Sequence, residues 1–311
     1  MQIHRSIIIT FLLIAVAWFT TGCRNELLLT PTPLVEAVQA ATKTPAEEPV
    51  TQETLTPTNT LRPTITPTAT ETLSPIQEYG IYWMADFETG DLSQYEEFDG
   101  EFLRQSPYGS YAITPKEAVR GNFSAALTID TDRLSSGAAA AYLAYYNNPR
   151  EGYYSGWIYI PEDVVPLTWW NVWQWKSTFN GNSDDSVPMW TLDLTTIATN
   201  PDELLLTLVY RPDSNRLKES YTNALSKIPK GEWVHISTYY VKSTENDGVV
   251  GVWVNGEEIF YIENAHTVQS DNTLYWLVNN YSSQIQPSPC TIYFDDMVIS
   301  QQRIRPDSVL P

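Results

Sequence analysis

The chain has 311 residues, with 37 acidic side chains against 18 basic ones and a formal charge of −19. From Thr30 to Pro75 it carries 14 Thr and 8 Pro with no Gly and no aromatic residue, so that stretch cannot bury enough apolar surface to offset its ordering entropy. Only residues 77–311 can build a core; they hold 10 of the 11 Trp and 14 basic against 31 acidic groups, net −17. A field of that sign, with no basic arm or stripe, excludes a nucleic-acid partner.

At the N-terminus, His4 and Arg5 precede the apolar run Ile7 to Phe19, followed by Thr20-Thr21-Gly22-Cys23. A run of thirteen residues, apolar but for Thr10, is short for a bilayer span, whereas a short apolar run ending in small residues reads as an export signal over residues 1–23. The Gly-Cys pair resembles the lipobox of bacterial lipoproteins, which implies lipidation of Cys23 and an anchor at the outer face of a bacterial membrane. Thr20 stands where the lipobox usually has Leu, and a plain signal peptide or an uncleaved anchor is the alternative. Residues 24–76 then form a spacer whose Thr/Pro-rich tract, partly extended at about 3 Å per residue, reaches up to about 140 Å.

Beyond the spacer, β-branched and aromatic runs alternate with polar residues over Ser155–Ile160, Asn171–Lys176, Trp190–Thr195, Leu204–Tyr210, Trp233–Val241, Val249–Val254, Ile259–Ile262, Tyr275–Val278 and Thr291–Ile299. Only a short run near Ala138 to Tyr145 has helical periodicity. Asn255-Gly256, between two such runs, accepts the positive φ angles of a type I′ hairpin turn. Many short strands joined by turns predict an all-β sandwich of two antiparallel sheets.

Three segments carry a family resemblance. Gly231-Glu232-Trp233-Val234-His235, Val241-Lys242-Ser243 and Asp247-Gly248-Val249-Val250-Gly251-Val252-Trp253-Val254-Asn255-Gly256 together resemble the concanavalin A-like jelly-roll polysaccharide lyases, the relatives of alginate, glucuronan and heparin lyases. Tyr153 to Pro161 resembles their strand ending in Pro, and the similarity runs over about residues 80–300. The resemblance implies a jelly roll that acts on, or binds, an extracellular polysaccharide. Such lyases neutralise a uronate carboxylate, remove the C5 proton and protonate the leaving glycosidic oxygen.

The resemblance also implies where the site lies. The family's Gln-x-His pair corresponds to Gln174 and Lys176, and alternation places both opposite Trp173 and Trp175. The family's Tyr-x-Lys-x-x-x-Tyr strand corresponds to Tyr275 through Tyr281, with Leu277 in place of its Lys. Tyr281 is the expected acid, Lys176 the base or carboxylate partner, and Gln174 with Asn279 the neutralisers; Tyr275, Asn280 and Trp170 are the expected substrate contacts. The His-to-Lys and Lys-to-Leu departures, and the charge of −17, favour recognition of a polysaccharide over catalysis, while a β-eliminating lyase and a structural envelope protein are the alternatives. Trp169, Trp170, Trp173, Trp175 and Trp190 serve either as sugar platforms or as core, and of the adjacent Trp169 and Trp170 one faces outward.

Acidic groups at both ends of the domain, Glu88, Asp91 and Asp296 with Asn122, are a candidate structural Ca2+ set; a solvated turn with strand-end carboxylates is the other reading. Cys290, with no His beside it, reads as a buried small hydrophobe. The three His are His4 in the signal, His235 on a strand and His266 in a polar loop, which supports neither a zinc site nor a Ser-His-Asp triad. A monomer is expected.

Overall fold

The computed structural model describes residues 74–95, 107–179, 182–212, 218–269 and 273–311, and seventeen strands account for most of these described residues. The expected export signal 1–23, its Cys23, and the spacer up to residue 73 lie outside the described residues. A short helix, α1 (Pro75–Tyr79), opens the described part; Ser74 caps it and Gly80 ends it at φ 58°. In chain order the strands are β1 (Ile81–Ala85), β2 (Gly109–Thr114), β3 (Ser124–Ile129), β4 (Ala139–Tyr145), β5 (Glu151–Tyr159), β6 (Val165–Pro166), β7 (Trp170–Phe179), β8 (Asn182–Ile197) and β9 (Asn200–Tyr210). They continue as β10 (Glu219–Tyr221), β11 (Lys227–Pro229), β12 (Trp233–Val241), β13 (Gly248–Val254), β14 (Glu257–Ala265), β15 (Leu274–Ser282), β16 (Ile285–Gln286) and β17 (Cys290–Ser300).

Two antiparallel sheets face each other. The first runs β14-β13-β12-β5-β17-β3-β2, with β1 also on β17; the second runs β10-β9-β8-β7-β15-β4, with β11 on β9. First and last strands of the domain are thus neighbours, β1 pairing with β17 from Ala85 opposite Met297 to Ile81 opposite Ser300. This is the jelly-roll sandwich that the strand pattern predicts.

Between the sheets lies one apolar core. Trp170, Trp173, Trp175, Leu192 and Leu194 of the second sheet are buried against Tyr154, Ile158, Ile236 and Phe294 of the first. These five fully buried aromatics remove several hundred Å² of apolar surface from water, which at about 25 cal/mol/Å² is the main stabilising contribution of this layer. Asn255 and Gly256 have φ of 50° and 89°, the conformation expected of the hairpin turn between β13 and β14.

The helical periodicity near Ala138–Tyr145 is overridden: the segment is β4, paired with β15 from Trp276 opposite Tyr145 to Ser282 opposite Ala139. Alanine favours a helix locally, but small side chains at Ala139 and Ala141 are fully buried here, and sheet pairing decides the conformation. Gly109 passes close above this strand, where a Cβ would meet the Ala140 carbonyl oxygen at 2.0 Å.

Candidate functional site

The face of the second sheet that points away from the core is polar along its middle strands. On β7 the pairing with β8 sets Asn171 opposite Asp193 and Gln174 opposite Thr191, while Trp170, Trp173 and Trp175 pair with Leu194, Leu192 and Trp190 on the core side. Asn171 and Gln174 are three residues apart, so strict alternation would put them on opposite faces. An irregularity between Asn171 and Trp173 inserts the buried Val172 and returns both amides to one side. On β15, Leu277 stands opposite Gln174 and Tyr281 opposite Asn171.

These side chains form a closed network. The side-chain amide of Asn279 donates to Asn171 Oδ1 and, at 3.3 Å, to Gln174 Oε1. Asn171 Nδ2 donates to Asp193 Oδ1 at 2.8 Å. Arg211, just past the end of β9, donates from Nη2 to Asp193 Oδ2 at 3.0 Å and from Nη1 to Thr191 Oγ1 at 2.7 Å. Its backbone is fixed as well, since its N–H donates to the Met189 carbonyl at 2.9 Å. Gln174, Asn171, Asp193 and Asn279 are all buried, so the network is rigid, and each buried polar group that is paired avoids a desolvation cost of about 1–3 kcal/mol.

Tyr281 stands at the border of this network and is half-buried. Burial pushes its hydroxyl pKa above the ordinary tyrosine value, and the nearby Arg211 guanidinium pulls it part of the way back. The indole of Trp169, 38% exposed, meets the Tyr281 ring edge-on with centroids 4.8 Å apart. Tyr275 pairs with Lys176 across the strands and packs edge-on against Tyr146 at 4.2 Å; Lys176 and Tyr275 are both half-buried on this face.

Of the residues expected at the site, Gln174, Asn279 and Tyr281 come together on one face, with Lys176 and Tyr275 farther along the same strands. Two expected substrate contacts are corrected. Trp170 is fully buried between the sheets and donates from Nε1 to Asn280 Oδ1 at 2.9 Å. Asn280, also fully buried, donates across the core to the carbonyls of Leu127 and Cys290 at 3.0 and 3.1 Å. Asn280 ties the sheets together, Trp170 holds it in place, and neither can reach a polymer; Trp169 is the outward member of the tryptophan pair. Arg211, Asp193, Asn171 and Thr191 were not expected. Arg211 had a signal in the sequence, a lone cation closing an alternating strand in an acidic domain, whereas Asn171 had none.

The candidate Ca2+ set does not form a cage. Glu88 and Asn122 meet, but the Glu88 carboxylate already accepts from the backbone N–H groups of Asn122 and Phe123, both at 2.8 Å, and from Asn122 Nδ2 at 3.0 Å, which lowers its pKa. Asp91 turns to its own loop, accepting from the Ser93 N–H at 2.9 Å. Asp296 is neutralised by Arg120, whose Nε donates to it and whose Nη1 donates to the Ser308 carbonyl at 3.0 Å. Among the described residues no three His, Cys, Asp or Glu side chains gather as a metal would need. A guanidinium and backbone N–H groups fill the places that a hard cation would want, so the residues present do not fit the metal.

The remaining singled-out groups are structural. Cys290 is fully buried, and burial pushes its thiol up to about 12, far from a reactive thiolate. His235 is buried edge-on against Trp157 with centroids 5.1 Å apart, and burial holds it neutral, with its pKa lowered to about 3. His266 Nδ1 bonds the Tyr210 hydroxyl at 3.1 Å.

This two-sheet architecture resembles proteins of known structure. The endo-β-1,4-glucuronan lyase of the fungus Trichoderma reesei superposes with a TM-score of 0.57 at 15% identity, over 71% of this chain and 96% of that one. An alginate lyase of Aplysia kurodai matches at TM-score 0.43 and 13% identity over 65% and 92% of the two chains, and one of Pseudomonas aeruginosa at 0.37 and 18% over 66% and 88%. No curated protein matches the chain. The sequence model of the polysaccharide lyase family aligns with residues 87–298, from the loop after β1 to near the end of β17, so that every strand of the sandwich but β1 falls within the match, and the chain belongs to the polysaccharide lyase family.

Proposed function

We propose that this domain cleaves a uronic-acid polysaccharide by β-elimination, with Tyr281 as the proton-transfer group and Arg211, Gln174 and Asn279 as the neutralising group. The observation that carries the reading is Arg211: bonded through Asp193 to Asn171, which stands opposite Tyr281, it brings to this network the cation that Leu277 fails to provide on β15. The glucuronan lyase of Trichoderma reesei, which shares the fold, and membership of the family support a uronate substrate.

In the proposed step the C5 carboxylate lies toward Arg211 and the amides of Gln174 and Asn279, which hold the charge that develops when the C5 proton leaves. The Tyr281 tyrosinate takes that proton. The C5–H electrons become the C4=C5 double bond, the C4–O bond breaks with its electrons on the glycosidic oxygen, and the new Tyr281 hydroxyl returns the proton to that oxygen. Atoms and charge balance, and tyrosinate is restored. Trp169 packs the C–H face of a flanking sugar, and Lys176 pairs with a neighbouring carboxylate.

The domain's charge of −17 opposes a polyanion only at long range, where salt screens it beyond about 8 Å at physiological ionic strength; at the site Arg211 and Lys176 decide. The test is incubation with polyglucuronate and with alginate while near-ultraviolet absorbance is followed, since the new double bond conjugates with the carboxylate. A rise that disappears in Tyr281→Phe supports the reading. Retention on these polymers with no absorbance rise would make the domain a recognition module instead. We further propose that residues 1–23 direct export and that an acyl chain on Cys23 tethers the domain through its spacer; labelled palmitate that enters the wild type and not Cys23→Ser is the check.

A further inference from the structure

The outer face of the first sheet, on the opposite side of the sandwich, carries a second cluster suited to a sugar. Tyr153 of β5 points away from the core, opposite to the fully buried Tyr154. Its ring meets that of Tyr239 on β12 at 4.7 Å and that of Trp253 on β13 at 6.2 Å; Trp253 in turn meets Tyr261 on β14 at 6.1 Å. Trp253 folds over Gly251, where a Cβ would come within 2.6 Å of the indole, so a side chain at 251 would displace the ring. The Arg303 guanidinium covers Trp253 at 4.8 Å, and Tyr261 is 44% exposed.

Beside this row, the segment after β17 and helix α1 border a cavity of about 750 Å³ against Tyr153. Glu78, Gln301, Arg303, Arg305 and Asp307 line it, two cations against two carboxylates. In a domain of net −17 this is a locally balanced site, which gives a polyanion no surplus of cations. It offers paired donors and acceptors next to aromatic faces, the combination that recognises the hydroxyls and C–H faces of pyranoses. Its volume falls within the roughly 300–1,000 Å³ of small-ligand sites, room for two or three sugar units.

We propose that this face is a second polysaccharide-binding site, separate from the lyase site, that takes a neutral, hydroxyl-rich glycan. It does not rest on the lyase reading, because none of its residues lies on the second sheet. The test is affinity electrophoresis of the full domain in gels containing mixed-linkage β-glucan, xylan, glucomannan or galactan, with polyglucuronate as the anionic comparison. The expected result is retardation by at least one neutral polymer, weakened about tenfold in Tyr153→Ala and in Arg303→Gln and unchanged in Tyr281→Phe. Two variants guard against a fold defect in one, and both retain wild-type circular dichroism. Retardation by none of the neutral polymers, or retardation that both variants leave intact, overturns the proposal; so does retardation by polyglucuronate alone that Tyr281→Phe abolishes.

Discussion

Arg211 and Asp193 form an ion pair of 3.0 Å, between the end of β9 and the middle of β8, on the outward face of the second sheet. The guanidinium is 21% exposed and the carboxylate 7%, so one end of the pair is open to solvent and the other is sealed beneath it. Asp193 also accepts from Asn171, so the pair fixes both the cation and the amide network around Tyr281. Replacing Arg211 by Ala leaves a nearly buried carboxylate unpaired. Allowing for partial screening by solvent, we expect a loss of about 2 kcal/mol in urea unfolding, together with loss of lyase activity. Arg211→Lys keeps the charge without the two-pronged geometry, so it retains most of the stability and little of the activity. A fully active Arg211→Ala would remove the basis for placing the substrate carboxylate there.

Tyr281→Phe removes one oxygen from a half-buried position and leaves the packing against Trp169. The rate on a uronate polymer falls by roughly 10²–10⁴-fold with little change in thermal stability. Because burial raises the Tyr281 pKa, the reactive tyrosinate is scarce at neutral pH, and the wild-type rate rises with pH into the alkaline range. A pH–rate profile that is flat from neutral to alkaline conditions would count against tyrosinate as the base.

The neighbouring tryptophans separate function from packing. Trp169→Ala removes an exposed ring beside Tyr281, so KM rises about tenfold with thermal stability nearly unchanged. Trp170→Ala leaves a cavity between the sheets and an unpaired Asn280 oxygen, at a cost of roughly 3–5 kcal/mol. Denaturant curves and initial rates on the two variants measure the contrast directly.

Two buried groups behind Trp157 set opposing pH dependences. Burial and the adjacent Asp296 raise Asp295 to about 7 from an unfolded value near 3.8, so its contribution to stability is complete below pH ~4 and is lost as pH rises toward 7. Burial lowers His235 to about 3 from near 6.5, so its contribution is complete above pH ~6.5 and is lost as pH falls toward 3. Between pH 4 and 6.5 the two slopes oppose each other. Unfolding free energies across that range should therefore rise with pH in Asp295→Asn and fall with pH in His235→Gln; the same slope in both variants would refute the assignment.

A chelator should leave the melting temperature unchanged as far as the contact between Glu88, Asn122, Arg120 and Asp296 is concerned, because that contact is closed by a guanidinium and N–H donors. Arg120→Ala exposes the need for positive charge at Asp296, and its melting temperature falls by several degrees. A drop of the wild-type melting temperature in chelator, restored by calcium, would show that a cation holds these strands after all.

By itself the sequence determined the sandwich, its hairpin at Asn255-Gly256 and half of the site, because period-two alternation sorts Gln174 from Trp173 and Trp175 whatever the strands pair with. The tertiary structure alone decided the rest. Asn171 joins Gln174 only through the irregularity at Val172, which breaks the alternation on which sequence reading depends. Asn280 and Trp170 looked like substrate contacts until the facing sheet supplied the Leu127 and Cys290 carbonyls that hold them inside. Arg211 joins the network around Tyr281, through Asp193 and Asn171, because β9, β8, β7 and β15 lie side by side, a juxtaposition of segments distant in the chain that no local pattern encodes. The alanine-rich β4 is strand rather than helix for the same reason, since pairing with β15 outweighs a propensity of a few tenths of a kcal/mol per residue.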